Sequence, residues 1–252
     1  MGTAETNTPG WVDLGSPDVA ASNRFYGELF GWEPNVAPMP EAGGYTVYTK
    51  DGKPVAGCGG LMSEGQPPAW STYVLTDDAD AVAARVESAG GKVLVAPFDV
   101  MDQGRMAVFL DQAGAAFSVW QPGKMPGAEL FNVPGALTWN ELTTRDPEGS
   151  KAFYSNVFGW GIEDGEYGPV TYTQWQVDGR SMAGMMPMVG DMWPADMPPH
   201  WMVYFAVDDC DATAAKAVEL GGSNPVPPTD IPQGRIAVLN DPHGAVFSII
   251  KT

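Results

Sequence analysis

An eight-residue aromatic frame occurs twice in this chain, and its repetition limits the possible folds more than any other feature. Phe25-Tyr26-Gly27-Glu28-Leu29-Phe30-Gly31-Trp32 returns as Phe153-Tyr154-Ser155-Asn156-Val157-Phe158-Gly159-Trp160, shifted by 128 positions. A short apolar strand precedes each copy, Trp11-Val12-Asp13-Leu14 and Trp139-Asn140-Glu141-Leu142. The pairs at i and i+4, Tyr26/Phe30 and Tyr154/Phe158, put one apolar stripe on a helix face. The glycine after each stripe can end its helix in the left-handed region. Asp18 and Asp146 are placed to cap, and Pro147 suits the first helical position of the second copy. An amphipathic helix filling a core would account for one copy, but not for the recurrence of everything around it.

The surroundings recur in register. Tyr45-Thr46-Val47-Tyr48 alternates like a half-buried strand, and Asp51-Gly52 turns the chain into Pro54-Val55-Ala56-Gly57. Asp178-Gly179, leading into Ser181-Met182-Ala183-Gly184, repeats that hairpin. Ser71 to Thr76 reads as another strand, and Asp77-Asp78 opens a helix carrying Val82, Val86 and Ala89 that Gly90-Gly91 ends. Asp208-Asp209 and Gly221-Gly222 match these landmarks, Gln233-Gly234-Arg235 matches Gln103-Gly104-Arg105, and Asp241-Pro242-His243-Gly244 matches Asp111-Gln112-Ala113-Gly114. The expectation is four strand-helix-strand-strand-strand units in two tandem halves. Two copies of so long a period mean a duplicated domain rather than a solenoid. A Pro- and Gly-rich stretch at 123–134 reads as the linker between halves spanning 10–122 and 135–252.

Composition narrows the functional classes. With 31 acidic against 13 basic side chains the formal charge is −18, which repels phosphate backbones and anionic membranes. No nucleic-acid or membrane partner is expected. No apolar run approaches the roughly 18 residues of a bilayer span. Met1 to Pro9 lack a basic-then-apolar signal, so the cytoplasm is the expected compartment. Cys58 and Cys210 are too few for a disulfide framework and read as buried small apolar side chains.

F-Y-x-x-x-F-G-W behind an apolar strand, the paired aspartates before the second helix and D-P-x-G before the last strand resemble the vicinal-oxygen-chelate superfamily. That group comprises glyoxalase I, bleomycin-resistance proteins and extradiol dioxygenases. The chain is similar to its two-repeat actinobacterial subgroup of hydroxylase-like proteins, some associated with polyketide tailoring. The resemblance implies an α+β fold of two tandem glyoxalase/bleomycin-resistance-like domains. Each would be a pair of βαβββ units forming a cupped mixed sheet, with the Phe25 and Phe153 helices on the outer, convex faces. The cavity inside such a cup holds metal or ligand.

In the superfamily's enzymes, His or Glu side chains from several strands hold a divalent cation. Carried over residue by residue, those positions fall on Trp11 and Trp139, on Ser71 and Met202, and on Ser118 and Ser248. The remaining strand of each half offers only Cys58. Zinc, iron or nickel needs about three well-placed N, S or carboxylate donors, so no metal and no cofactor is expected. If Trp11 and Trp139 point into the cups, strand alternation puts Asp13 and Glu141 on the same face. These two are the candidate catalytic residues, because a carboxylate in an apolar pocket acquires a raised pKa and can work as a general acid or base. The alternative is that they are exposed or paired with Arg105 or Arg235. Trp11, Trp139, Tyr48, Trp70, Ser71, Ser118, Trp175, His200, Met202 and Ser248 are the candidate ligand-binding residues. Met182, Met185, Met186, Met188, Met192 and Met197 would add soft surface around the second cavity.

The function expected is metal-free binding of a hydrophobic or aromatic small molecule, in secondary-metabolite tailoring or resistance, by a monomer or homodimer. The rivals are a metal-independent isomerase, cyclase or lyase using a first-strand carboxylate and, less favoured, a metal-dependent lyase or dioxygenase.

Overall fold

The computed structural model describes residues 5–252 apart from 64, 169 and 192. The first unit runs β1 (Pro9–Ser16), α1 (Val19–Phe30), β2 (Glu33–Val36), β3 (Thr46–Lys50) and β4 (Lys53–Gly60). The second is β5 (Ala69–Leu75), α2 (Ala79–Ser88), β6 (Lys92–Val100), β7 (Gly104–Leu110) and β8 (Ala116–Pro122). The later half repeats the order as β9 (Leu137–Thr144), α3 (Pro147–Phe158), β10 (Gly161–Tyr167), β11 (Val170–Val177) and β12 (Arg180–Pro187), then β13 (His200–Ala206), α4 (Cys210–Glu219), β14 (Ser223–Ile231), β15 (Gly234–Asn240) and β16 (Val246–Lys251).

Each half forms one mixed eight-stranded sheet, ordered β2-β3-β4-β1-β5-β8-β7-β6 and β10-β11-β12-β9-β13-β16-β15-β14. The fold is therefore α+β, with two repeats of paired βαβββ units. The start and stop signals act as chemistry requires. Asp18 and Asp146 accept the amides of Ala21 and Gly149, Pro147 opens α3, and Gly31 and Gly159 close their helices at φ 70° and 74°. No helix among the described residues is long and apolar enough to cross a membrane.

The helices do not lie on outer faces. The α1 side chains Phe25, Tyr26 and Phe30 share a core with Phe205, Phe247 and Ile249 of the other half. Phe153, Tyr154 and Phe158 of α3 pack reciprocally with Val82, Phe109 and Phe117. The convex faces of the two sheets thus face each other, with the helices between them. The physical reason is the width of the aromatic stripe, which is too apolar to leave in water.

Polar locks explain why separate motifs recur together. Tyr26 donates to Asp241 at 3.2 Å, and Tyr154 donates to Asp111 at 3.1 Å, so the tyrosine of each aromatic frame is bound by the aspartate turn of the opposite half. The Trp70 and Trp201 indoles donate to the same phenols at 3.0 and 2.9 Å. Trp32 and Trp160 donate to the carbonyls of Gly135 and Asn7, each on the approach to the other half's first strand. A buried hydroxyl or indole N–H without a partner is costly, and each of these six has one, whereas the Tyr48 hydroxyl and the Trp175 indole in the same core have none.

Candidate functional site

The concave faces of the sheets are built from one side of each first strand. Alternation sends Val12 and Leu14 to the helix layer and Trp11 and Asp13 to the cup, and it separates Asn140 and Leu142 from Trp139 and Glu141 likewise. In the first cup Tyr73 donates to Asp13 Oδ2 at 3.0 Å and Tyr45 to the same oxygen at 3.3 Å, while the Trp11 indole donates to Tyr45 at 3.2 Å. In the second, Tyr172 donates to Glu141 Oε2 at 2.7 Å and Tyr204 to Oε1 at 2.9 Å, with the Trp139 indole donating to Tyr172 at 3.0 Å. Each carboxylate is thus gripped by two phenols, one of them held in turn by an indole.

A glycine makes room for the grip. Gly57 and Gly184 stand beside Asp13 and Glu141 on the neighbouring strands. A Cβ at Gly57 would sit 1.9 Å from the Tyr45 hydroxyl, and one at Gly184 would sit 1.8 Å from that of Tyr172 and 2.8 Å from Trp139 Nε1.

Electrostatics follow from burial. Desolvation pushes Asp13 up to about 6, although the hydroxyls of Tyr73 and Tyr45 pull it back. Glu141 is raised for the same reason, against the opposing hydrogen bonds from Tyr172 and Tyr204. Neither carboxylate is paired with arginine. Arg105 is held by Asp80 and Asp99, and Arg235 by Asp211 and Asp230, on the helix side of the sheets and away from the cups.

The two cups differ in what fills them. In the first, Trp11 and Trp120 are 3% and 7% exposed and pack with Tyr73, Met106 and Met125. The Trp120 indole donates to the Met125 carbonyl at 2.8 Å, which pins the connecting segment over the cup. In the second, the strand register places Ile250 where Trp120 stands. A cavity of about 250 Å³ remains there, lined by Trp139, Glu141, Tyr167, Tyr172, Gln174, Met186, Tyr204, Ile231, Ile236 and Ile250. Its polar end is the gripped carboxylate and its far wall is aliphatic.

Several sequence candidates fall elsewhere. Tyr48, Trp70 and Trp175 belong to the core between the sheets, because they alternate onto the helix side of their strands. Ser71 and Met202 stand opposite Asp13 and Glu141 in register, and Ser118 and Ser248 are buried next to Tyr73 and Tyr204. His200 lies at the start of β13, its Nδ1 3.0 Å from the Pro198 carbonyl, and does not line the cavity. Of the methionines, Met186 lines the cavity, Met185 is core, Met182 lines a separate groove, and Met192 lies outside the described residues. Tyr45, Tyr73, Tyr172 and Tyr204 are the residues that sequence reasoning did not assign to the site. Their recurrence in both halves was the available signal.

A model of the Glyoxalase/Bleomycin resistance protein/Dioxygenase superfamily matches residues 8–119 and again 136–249. The chain belongs to this superfamily. The anthracycline biosynthesis protein DnrV of Streptomyces peucetius is 46% identical over 257 residues, covering 96% of this chain and 92% of that protein. A putative glyoxylase, CFP32, of Mycobacterium bovis is 44% identical over 252 residues, covering 97% and 94%. Among solved structures, the Mn(II)-bound glyoxalase of Novosphingobium aromaticivorans superposes with a TM-score of 0.66 at 19% identity, over 98% of this chain and 83% of that one. The 2,2',3-trihydroxybiphenyl 1,2-dioxygenase of Sphingomonas wittichii gives 0.65 at 13% identity, over 98% and 91%. At these identities the likeness is one of fold.

A bound metal is implied by such folds, and the donor set here does not fit one. Each cup supplies one carboxylate, its oxygens already accepting phenol hydrogens, beside Trp, Ser or Met at the carried-over positions. Among the described residues no group of three His, Cys, Asp or Glu side chains is arranged to hold a cation.

Proposed function

We propose that the second cup binds a planar, largely hydrophobic small molecule without a metal ion, as a binding or accessory protein of aromatic secondary-metabolite tailoring. The observation that carries this reading is the contrast between the cups, Trp120 packing in one where Ile250 stands beside a cavity at Glu141 in the other. Aromatic and aliphatic walls around a gripped carboxylate, with Gln174 and Gln233 also on the lining, suit a flat ligand bearing a hydroxyl or keto group at one end. At about 250 Å³ the cavity falls below the roughly 300 Å³ at which drug-sized sites begin, so it takes one end of a polycyclic molecule rather than the whole. The relative's printed role in anthracycline biosynthesis supports a polycyclic aromatic ligand.

Glu141 gives the site its chemistry. Ionised, it accepts a hydroxyl hydrogen from the ligand. Protonated, it donates one to a keto oxygen. The raised pKa also favours a second reading, in which Glu141 moves a proton in a metal-independent isomerisation, cyclisation or elimination.

Calorimetric titration with a hydroxyanthraquinone separates these readings. Binding of the phenolic ligand should tighten as pH rises through the raised Glu141 pKa. Glu141→Gln should weaken it about tenfold, the worth of one hydrogen bond to a charged group, and flatten the pH profile. Unchanged affinity and an unchanged profile would remove Glu141 from the site. Turnover lost in the variant, with affinity kept, would favour the enzyme.

A further inference from the structure

The segment between the halves fills a gap in the first sheet whose counterpart in the second sheet is a groove. In the first half, the parallel ladder between β1 and β4 begins only at Asp13 and Gly57. Upstream of that point the two strands part, and the segment after β8 fills the gap. The Ala128 amide donates to the Gly10 carbonyl at 2.8 Å, and the Glu129 amide donates to the Pro54 carbonyl at 2.9 Å. Gly127 fits at φ 110°, where a Cβ would meet the Gly10 carbonyl oxygen at 2.8 Å. A short stretch opening on Gly127 and Ala128 thus bridges two strand starts through its backbone.

The second half has the same parting. The ladder between β9 and β12 begins at Glu141 and Gly184, the counterparts of Asp13 and Gly57. By the same register the two accepting carbonyls correspond to those of Thr138 and Ser181. Here the gap is an open groove of about 400 Å³, lined by Thr138, Ser181, Trp139, Met182, Phe131 and Arg180 among others. Arg180 takes the place of Lys53 and pairs with Glu5 on the groove wall. Trp139 and Thr138 line both this groove and the cavity of the second cup.

We propose that this groove docks an extended peptide segment of small residues followed by an acidic one, by backbone pairing to the carbonyls of Thr138 and Ser181. The mode is backbone pairing at a parted pair of strands, with the main-chain bonds giving affinity and the side chains specificity. The acidic residue takes the register position of Glu129, whose amide bonds the residue after Lys53, so that its counterpart bonds the residue after Arg180, a cation now paired with Glu5. The occupant is distinct from the small molecule of the cup, so the groove stands whether or not that reading holds.

The test uses the full chain, isotope-labelled, and the acetylated and amidated peptide spanning Met125 to Phe131. Saturable amide shifts at Thr138, Arg180, Ser181 and Met182, together with the Trp139 indole, are the expected result. A peptide N-methylated at the nitrogens of Ala128 and Glu129 keeps every side chain but loses both donors, and should bind at least tenfold more weakly. Absence of shifts up to the solubility limit, equal binding of the methylated peptide, or shifts confined to the outside of the sheets would overturn the proposal. Shifts at the same residues on concentrating the protein alone would assign the groove to a second copy of the chain, and would overturn it as well.

Discussion

Asp13 is the residue at which burial has its clearest energetic consequence. Tyr73 and Tyr45 grip it as Tyr204 and Tyr172 grip Glu141, and Trp11, Tyr73 and Trp120 pack together in its cup. A carboxylic acid whose folded pKa lies above its unfolded value binds more protons folded than unfolded. Its favourable contribution is therefore present below the unfolded value of 3.8 and is lost as pH rises through about 6. Each pKa unit corresponds to roughly 1.4 kcal/mol, so the cost at neutral pH is on the order of 3 kcal/mol. Asp13→Asn keeps an acceptor for Tyr73 and removes the charge. Thermal melts should show the variant stabilised at pH 8 and little changed at pH 4. Equal destabilisation at both values would mean that the charge of Asp13 carries no cost in the fold, and would contradict its raised pKa.

At the scale of elements, the glycine beside each carboxylate sets how strand and phenol meet. Gly184→Ala forces a methyl group into the Tyr172 hydroxyl, so Tyr172 must leave Glu141. Because the Tyr172 bond lowers the Glu141 pKa, that value should rise further, and about 2 kcal/mol of stability should be lost at neutral pH with the charged hydrogen bond. Carboxyl NMR titration checks the direction, and an unmoved Glu141 would mean that Tyr172 is not what tunes it. The strands holding these groups were legible from their alternation, and the carboxylates from their equal place in two repeats. The phenols recur too, but at slightly different offsets, because the loops between the units differ in length. Tyr48, Trp70 and Trp175 were misplaced for a related reason: period two distinguishes two faces without saying which is the cup. The edge strands β2 and β14 carry little apolar alternation, since their residues are mostly exposed, and the sequence located neither.

The whole molecule is held by exchange between its halves. Each aromatic helix completes the other half's core, and each phenol of that helix answers the other half's aspartate turn. The aromatic frame was legible as a repeat, but not its partner, because packing between distant segments leaves no local pattern. Residues 1–122 expressed alone should therefore fail to give a folded monomer, and urea unfolding of the full chain should follow one transition by fluorescence and by circular dichroism. A soluble, monomeric half with native-like tertiary signals would show that the exchange is not needed for folding.

The difference between the cups is also a property of the whole chain, since it depends on a tryptophan in β8 and on the segment beyond it. Tryptophan-fluorescence titration with a planar hydroxyanthraquinone, run on the parent and on three variants, addresses it most directly. Ile250→Trp gives the second cup the plug of the first and should abolish saturable quenching. Trp139→Ala should weaken binding strongly, and Trp11→Ala should leave the affinity as it was. If Ile250→Trp binds like the parent, or if Trp11→Ala is the variant that loses the ligand, the second cup is not the binding site and the account of the two halves is wrong.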